Sequence, residues 1–398
     1  MRLYFIAALT DFVQVLFLFA ATRYIAEHQQ DAMPLGILGA CNFVAYAVSC
    51  GISGHLSDRF GRRRLVVLGS LVFVIAFTVA LRSLAPPLVY VAVVLSGTAA
   101  GMVFPPVMAL ITSGQVSGDH GRAASAPIVA FCIWWNVGVF FGQSSGGLLF
   151  QVGPEACLYT ALTAGVIIAP LILSVRRRPP AAIPVDKTRR SEPENSAAPR
   201  SFAVTAWLAN LSGAFTASLI IFIFPKLATS LAIPSSTHGF MLAAMRAVVI
   251  GMYILLHFSQ FWRHRMWPSF AAQAVAVFGL LLLATGNTAA LLTAGLMCAG
   301  VMTGYIYFTG IFYSTTSFHH ERKGLASGIH EGTYALGFTG GALGGAYLVS
   351  VAGIRAPFEM SIAVLLSLMV VQLLTRMIVK GRMRQTRVEP LSRTPGSR

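Results

Sequence analysis

The chain has 398 residues, of which 56% are hydrophobic and 11% charged, against about 25% charged in an average soluble protein. A chain so poor in charge cannot cover a water-facing surface of its size, which excludes an ordinary soluble globule and predicts an integral membrane protein. The net charge of +16 is not a nucleic-acid footprint, because all Lys and Arg except Arg23, Arg82, Lys226, Arg246 and Arg355 fall in one alternating set of loops and termini, as the positive-inside rule expects of cytoplasmic segments.

Crossing a hydrocarbon core takes about 20 mostly apolar residues. Twelve segments qualify, near 3–26, 34–56, 65–84, 87–113, 123–150, 156–175, 202–228, 238–261, 267–285, 288–314, 324–351 and 356–379. An even number puts both termini on one side, and the arginine bias makes that side cytoplasmic. The first segment follows Arg2, is interrupted by Asp11 and is not followed by a small-residue cleavage site, so it reads as a retained span and not as a signal peptide. The five cysteines lie singly in apolar segments with no CxxC pair and read as small buried hydrophobes, which predicts neither disulfide nor metal site.

Between spans two and three stands "GHLSDRFGRRRL", Gly54 to Leu65. Positive-inside topology accounts for Arg59, Arg62, Arg63 and Arg64 but for neither Asp58 nor the spacing of Gly54 and Gly61. Span five holds "GVFFGQSSGG", in which Gly138, Gly142, Gly146 and Gly147 form small-xxx-small spacings that let membrane helices approach closely; the expected partner of this ridge is span eight. Segment 176–201, "RRRPPAAIPVDKTRRSEPENSAAPRS", is rich in Pro and charge and predicts a disordered cytoplasmic linker. It separates a six-span half at 1–175 from another at 202–380, with 381–398 expected as a disordered cytoplasmic tail.

The halves repeat at an offset near 200 residues. Gly97 and Gly101 match Gly300 and Gly304, Gly146-Gly147 match Gly344-Gly345, "GRAAS" matches "KGLAS", and the arginine block faces "WRHR" at Trp262–Arg265. Three ionisable residues lie about eight positions into their spans: Asp11, Arg246 and Glu331, the last preceded by His330. At about 1.5 Å per residue each is ~12 Å deep. Charges at such depth are costly and are candidates for function. We therefore expect a central cavity with Glu331 or Asp11 taking up a proton and Arg246 as counter-charge or substrate anchor; the plainer alternative is a static Arg246–Glu331 pair. Asn136, Gln143, Asn210 and Tyr305, with Asn42, Trp135 and Tyr307, are candidate cavity residues suited to an organic substrate. His257 and Arg23 lie nearer the interfaces and read as snorkelling or topological.

Two parallel six-span repeats joined by a cytoplasmic linker resemble the major facilitator superfamily, with its all-α fold of twelve transmembrane helices in two six-helix halves. Gly54, Leu56, Asp58, Arg59, Gly61, Arg62 and Arg63 match that family's G-x-L-x-D-R-x-G-R-R/K loop. The resemblance implies a cytoplasmic latch in which Asp58 meets the start of span eleven near Arg322 and Lys323. The span-five glycines resemble the family's antiporter motif, with Gln143 in place of proline. The position that often carries an arginine in proton-linked members is Val93 here.

The resemblance implies a secondary transporter working by alternating access, located in a bacterial inner membrane. On these residues the expected activity is proton-coupled efflux of a small organic molecule by a monomer. The alternatives are a proton-coupled uptake symporter and a non-transporting sensor or assembly partner on the same scaffold. No P-loop or HExxH pattern is present, so neither an enzyme nor a cofactor is expected.

Overall fold

The computed structural model describes residues 1–112, 122–175, 197–318 and 323–388, with the backbone alone at 58, 112, 122–126, 197–200, 323–324 and 380–388. Within these residues all the regular secondary structure is helical. The helices are α1 (Arg2–His28), α2 (Met33–Phe60), α3 (Arg62–Ala80), α4 (Leu88–Thr112), α5 (Arg122–Val152) and α6 (Pro154–Leu173). There follow α7 (Ala197–Ser218, continuing through a π turn at Leu219–Ile223 into Phe224–Ser230), α8 (Ser235–Phe258), α9 (Trp267–Thr285), α10 (Ala289–Thr316), α11 (Lys323–Ala352) and α12 (Ala356–Val388). Twelve of these segments are long and apolar enough to span a membrane, where only a helix satisfies its own backbone groups within one segment.

Two boundaries differ from expectation. α7 begins at Ala197, inside the segment read as linker, and α12 continues to Val388, eight residues into the segment read as a disordered tail. No proline lies in 381–388, and the first after it is Pro390, whose predecessor disfavours helical geometry. Residues 176–196 and 389–398 lie outside the described residues.

The helices form two six-helix sets related by a pseudo-twofold. α1 and α7 are buried over 67% and 72% of their spans, α6 and α12 over 33% and 11%, so the first pair is central and the second faces lipid. Across the interface α5 packs on α8, and its pseudo-twofold mate α11 packs on α2.

These two contacts are closed at the end of the molecule away from the termini, here the far end. On α2, a Cβ at Gly36 would stand 2.5 Å from that of Ala346, and one at Gly39 2.6 Å from that of Ala342. On α5, a Cβ at Gly147 would lie 2.5 Å from the Ser235 carbonyl, and Gly239 reciprocates with the Gln143 carbonyl at 2.5 Å. Toward the terminal end, Gly54 of α2 and Gly328 of α11 lie on the same helix faces as those contacts, by the i, i+3/i+4 rule, yet nothing comes within 4 Å of either. α2 and α11 therefore diverge as a wedge, touching at the far end and apart at the terminal end.

Candidate functional site

The three ionisable residues of the sequence reading sit on three helices near mid-depth, but they are not a simple ion-paired triad. Arg246 of α8 donates from a terminal guanidinium nitrogen to Asn136 Oδ1 of α5 at 3.2 Å, a bond that crosses between the halves. Asp11 of α1 lies within electrostatic reach of Arg246 and has one carboxylate oxygen buried without a partner. Among the described residues no ion pair joins Arg246 to either carboxylate. The static Arg246–Glu331 pair is therefore not formed; the arginine is engaged by Asn136 and by the field of Asp11.

Glu331 is placed otherwise. Its side chain is 35% exposed while one carboxylate oxygen, Oε2, is shielded and unpartnered. It lies on the α11 face that carries Gly328, at the opening of the wedge. The Tyr307 hydroxyl interacts with its carboxylate, and Tyr46, Cys50, Cys132 and Tyr334 lie within its electrostatic reach. Around this carboxylate runs a chain of rings drawn from both halves. Phe43 stacks on Phe338 with centroids 3.8 Å apart, and Phe338 neighbours Tyr334 at 4.7 Å. Tyr334 meets Tyr307 at 5.3 Å, Tyr307 meets Trp135 at 5.0 Å, and Trp135 meets Phe104 at 6.3 Å.

Several predicted residues take other positions. His330 is 1% exposed and turns about 100° from Glu331 to press on Gly310 of α10, where a Cβ would lie 2.6 Å from the imidazole. Tyr305 is buried near Tyr313, not at the carboxylate; on a helix, residues two apart point in nearly opposite directions, and Tyr307 is the one that reaches Glu331. Asn210 does not line open space. Its amide donates to the His330 carbonyl and to Thr333 Oγ1, each at 3.1 Å, which ties α7 to α11 beside Glu331. Gln143 is buried on the α5–α8 side with its Oε1 unpartnered.

The glycines of span five also correct the expected ridge. Gly138, Gly142 and Gly146, spaced by four, share one face and it packs on α1: a Cβ at Gly138 would stand 1.9 Å from the Ala8 carbonyl, one at Gly142 3.0 Å from Val15, and one at Gly146 3.2 Å from Phe19. Only Gly147, one residue and about 100° round, faces α8.

At the loop motif, Gly61 joins α2 to α3 with φ +91, a conformation glycine adopts without the strain of a Cβ. Arg62 reaches from α3 to the Ala109 carbonyl of α4 at 3.0 Å. Gly54 faces open space, Arg59 is exposed and Arg63 half-buried. The Asp58 side chain, Arg322 and the Lys323 side chain lie outside the described residues, and so does any contact between them.

A second set of functional candidates escaped the sequence reading. At the far end, Arg23 of α1 donates to the Ile233 carbonyl before α8 at 2.9 Å, and its Nε contacts Glu27 at 2.6 Å. Lys226 of α7 donates to the Ala26 carbonyl at 3.2 Å and to the Gln29 carbonyl, at the negative C-terminal end of α1. Gln151 donates to Ser236 at 2.7 Å, and Ser350 donates to Asp31 at 2.8 Å. Arg23 and Lys226, Asp31 and Ser236, and Gln151 and Ser350 are each about 200 residues apart, the spacing of the internal repeat. Apart from the Arg23–Glu27 contact within α1, every tie in this set joins one half to the other, and each has its pseudo-twofold mate. The π turn in α7 belongs to the same region. Phe224 N–H bonds back to the Leu219 carbonyl, which accommodates Pro225, a residue with no N–H to give the ladder, just before Lys226.

The Major Facilitator Superfamily sequence model matches residues 3–317. No curated protein matches the chain by sequence. Among solved structures, a mutant of the nucleoside transporter NupG aligns with TM-score 0.72 at 12% identity, covering 94% of this chain and 98% of its own. A bacterial homolog of the human lysosomal transporter Spinster, inward-facing and unoccupied, aligns with TM-score 0.72 at 14% identity over 94% and 95%. The human organic anion transporter MFSD10 aligns with TM-score 0.63 at 15% identity over 93% and 98%. At such identities the likeness is one of fold.

Proposed function

Because this chain belongs to the major facilitator superfamily, we propose that it works by alternating access of its two six-helix halves, 1–175 and 202–380, as a proton-coupled exporter of a small organic molecule. The observation that carries the reading is the Glu331 carboxylate: mid-depth, at the open side of the wedge, with one oxygen unpartnered and, among the described residues, no cation in contact. A carboxylate so placed holds a proton when shielded and loses it when water or a positive charge arrives. Arg246, held by Asn136 across the halves and sensed by Asp11, links the state of Asp11 to the α5–α8 contact. The span-five glycines support export as the direction.

With the termini in the cytoplasm of a bacterial inner membrane, the described arrangement is the inward-facing one, closed outside by the far-end ties. The reverse arrangement would break those ties and bring Asp58 to the start of α11. The protein acts as a monomer, since both halves of the site come from one chain.

Proteoliposomes with an imposed pH gradient test this reading. Substrate-driven proton movement is expected from the unaltered protein and a loss of at least tenfold from Glu331→Gln. Full gradient-driven transport in both Glu331→Gln and Asp11→Asn would refute the proton site, and cotransport of substrate and proton in one direction would make the protein an uptake symporter.

A further inference from the structure

The charges at mid-depth do not cancel. Asp11, Arg246 and Glu331 carry two negative charges and one positive when ionised, and the positive charge is already engaged by Asn136 and the field of Asp11. Among the described residues Glu331 is left with no cation. The groups facing it are Tyr307 of α10, Tyr334 and His330 of α11, Tyr46 and Cys50 of α2 and Cys132 of α5. None is a fixed positive charge: the imidazole of His330 is pressed on Gly310, and its Nε2 stays 3.9 Å from the carboxylate.

What surrounds the carboxylate instead is π surface. The ring chain from Phe43 through Tyr334 and Tyr307 to Trp135 has neighbouring centroids 4.7–6.3 Å apart where it passes Glu331, and both halves contribute to it. Aromatic faces attract a positive charge within about 6 Å by their quadrupole. They offer an anion nothing comparable, and Glu331 repels one.

We propose that the cargo is an organic cation, a quaternary ammonium, phosphonium or protonated amine with aromatic substituents, which takes the place of the proton on Glu331. This deepens the reading of Glu331 as the coupling carboxylate and rests on it. One carboxylate holds either one proton or one cation, so the exchange is one for one. The cation lends its charge to Glu331 and its rings to the aromatic chain, and the displaced proton leaves through the open end of the wedge. Trp135, Tyr307 and Tyr334 stack with the ligand in this arrangement, and Asn210 is a positioning residue that holds α11.

Equilibrium dialysis of the detergent-purified full chain against tetraphenylphosphonium, ethidium and benzyltrimethylammonium tests the assignment, with tetraphenylborate as the near-isosteric anion. Saturable binding of at least one cation is expected, weakening as the pH falls, with release of about one proton per cation bound, by linkage. Glu331→Gln should lose both binding and proton release, and Glu331→Asp should keep them. Tyr334→Leu and Trp135→Leu should weaken binding about threefold to thirtyfold, and they carry the test if Glu331→Gln does not fold. Absence of binding by all three cations, a preference for tetraphenylborate, or unchanged cation affinity in Glu331→Gln overturns the proposal. The outcomes separate from those of the transport assay. Glu331-dependent cation binding without gradient-driven flux keeps the cation site and removes the coupling. Gradient-driven flux restricted to neutral or anionic cargo keeps the coupling and removes the cation site.

Discussion

Asn210 acts on Glu331 through the turn of α11 beside it: its two bonds, to the His330 carbonyl and to the Thr333 hydroxyl, hold the turn that aims the carboxylate. Interhelical hydrogen bonds between membrane helices contribute about 0.6 kcal/mol on average. Asn210→Ala is therefore expected to lower stability by no more than ~1–2 kcal/mol, read as a small fall in Tm, while moving the pH profile of transport. An unchanged pH profile would show that α11 holds its own register. Asp31, in the turn between α1 and α2, bears on the far-end closure. The Met33 N–H, then the Ser350 hydroxyl, hold its carboxyl below the usual carboxylate range, with Lys226 adding to the effect. A lowered value means the contact favours the ionised form, so its contribution is complete above the ordinary range and is lost as the pH falls through the lowered one. Acid on that side should loosen the closure, and Asp31→Asn should abolish the dependence; because Asp31 is exposed, the effect is small. Spin labels at Glu155 and Ala290 report it as a growing population of longer distances.

Among the elements, α5 carries two separate glycine surfaces with different duties. The face of Gly138, Gly142 and Gly146 joins it to α1 within one half; Gly147 joins it to α8 across the halves. Overpacking a tight contact costs about 1–3 kcal/mol, but the two faces should spend it differently. Gly138→Val, which would press on the Ala8 carbonyl, lowers the Tm of the whole protein. Gly147→Val pushes α5 from α8 at the far end only, so it should shift labelled molecules toward the outward-open arrangement with a smaller change in Tm. Equal distance distributions in the two variants would contradict this division. The spans were legible in the sequence because apolar length alone specifies them, and the depth of Asp11, Arg246 and Glu331 followed from counting. Facing was not legible. Choosing Tyr307 over Tyr305, or α1 over α8 for the glycine ridge, depends on a rotation of 100–200° about a helix axis, and in a membrane helix apolar on every side no hydrophobic stripe marks that rotation. Asn210, expected in the cavity, is instead bonded to α11: a buried amide serves a helix partner as readily as a cavity.

For the whole molecule, on the alternating-access reading, the wedge between α2 and α11 and the paired ties at its closed end describe one state of a two-state machine. On that reading the "GHLSDRFGRRRL" loop serves the other state: Gly61 and Arg62 shape it within the first half, and Asp58 is proposed to make the opposite closure. If so, Asp58→Asn should trap the protein with the far end closed and slow turnover while leaving cation binding intact, whereas Arg23→Gln with Lys226→Gln should release the far end and bias the protein the other way. Combining the three changes should restore an intermediate distribution, since opposed biases on one equilibrium offset each other. Restoration of neither state by the triple variant would mean that the two ends are not coupled.

The far-end ties have one further property. Arg23 and Lys226 close on the carbonyls of Ile233, Ala26 and Gln29, and Ser235 closes on the Gly147 carbonyl at 3.1 Å. A backbone acceptor is present whatever residue occupies the position, so evolution can exchange the receiving side freely without loss of the bond. In a family alignment the donors should then stay basic or hydroxylic while their partners drift, and pairwise covariation should pass over these four bonds, leaving only the side-chain pairs Gln151–Ser236 and Ser350–Asp31 to report the closure.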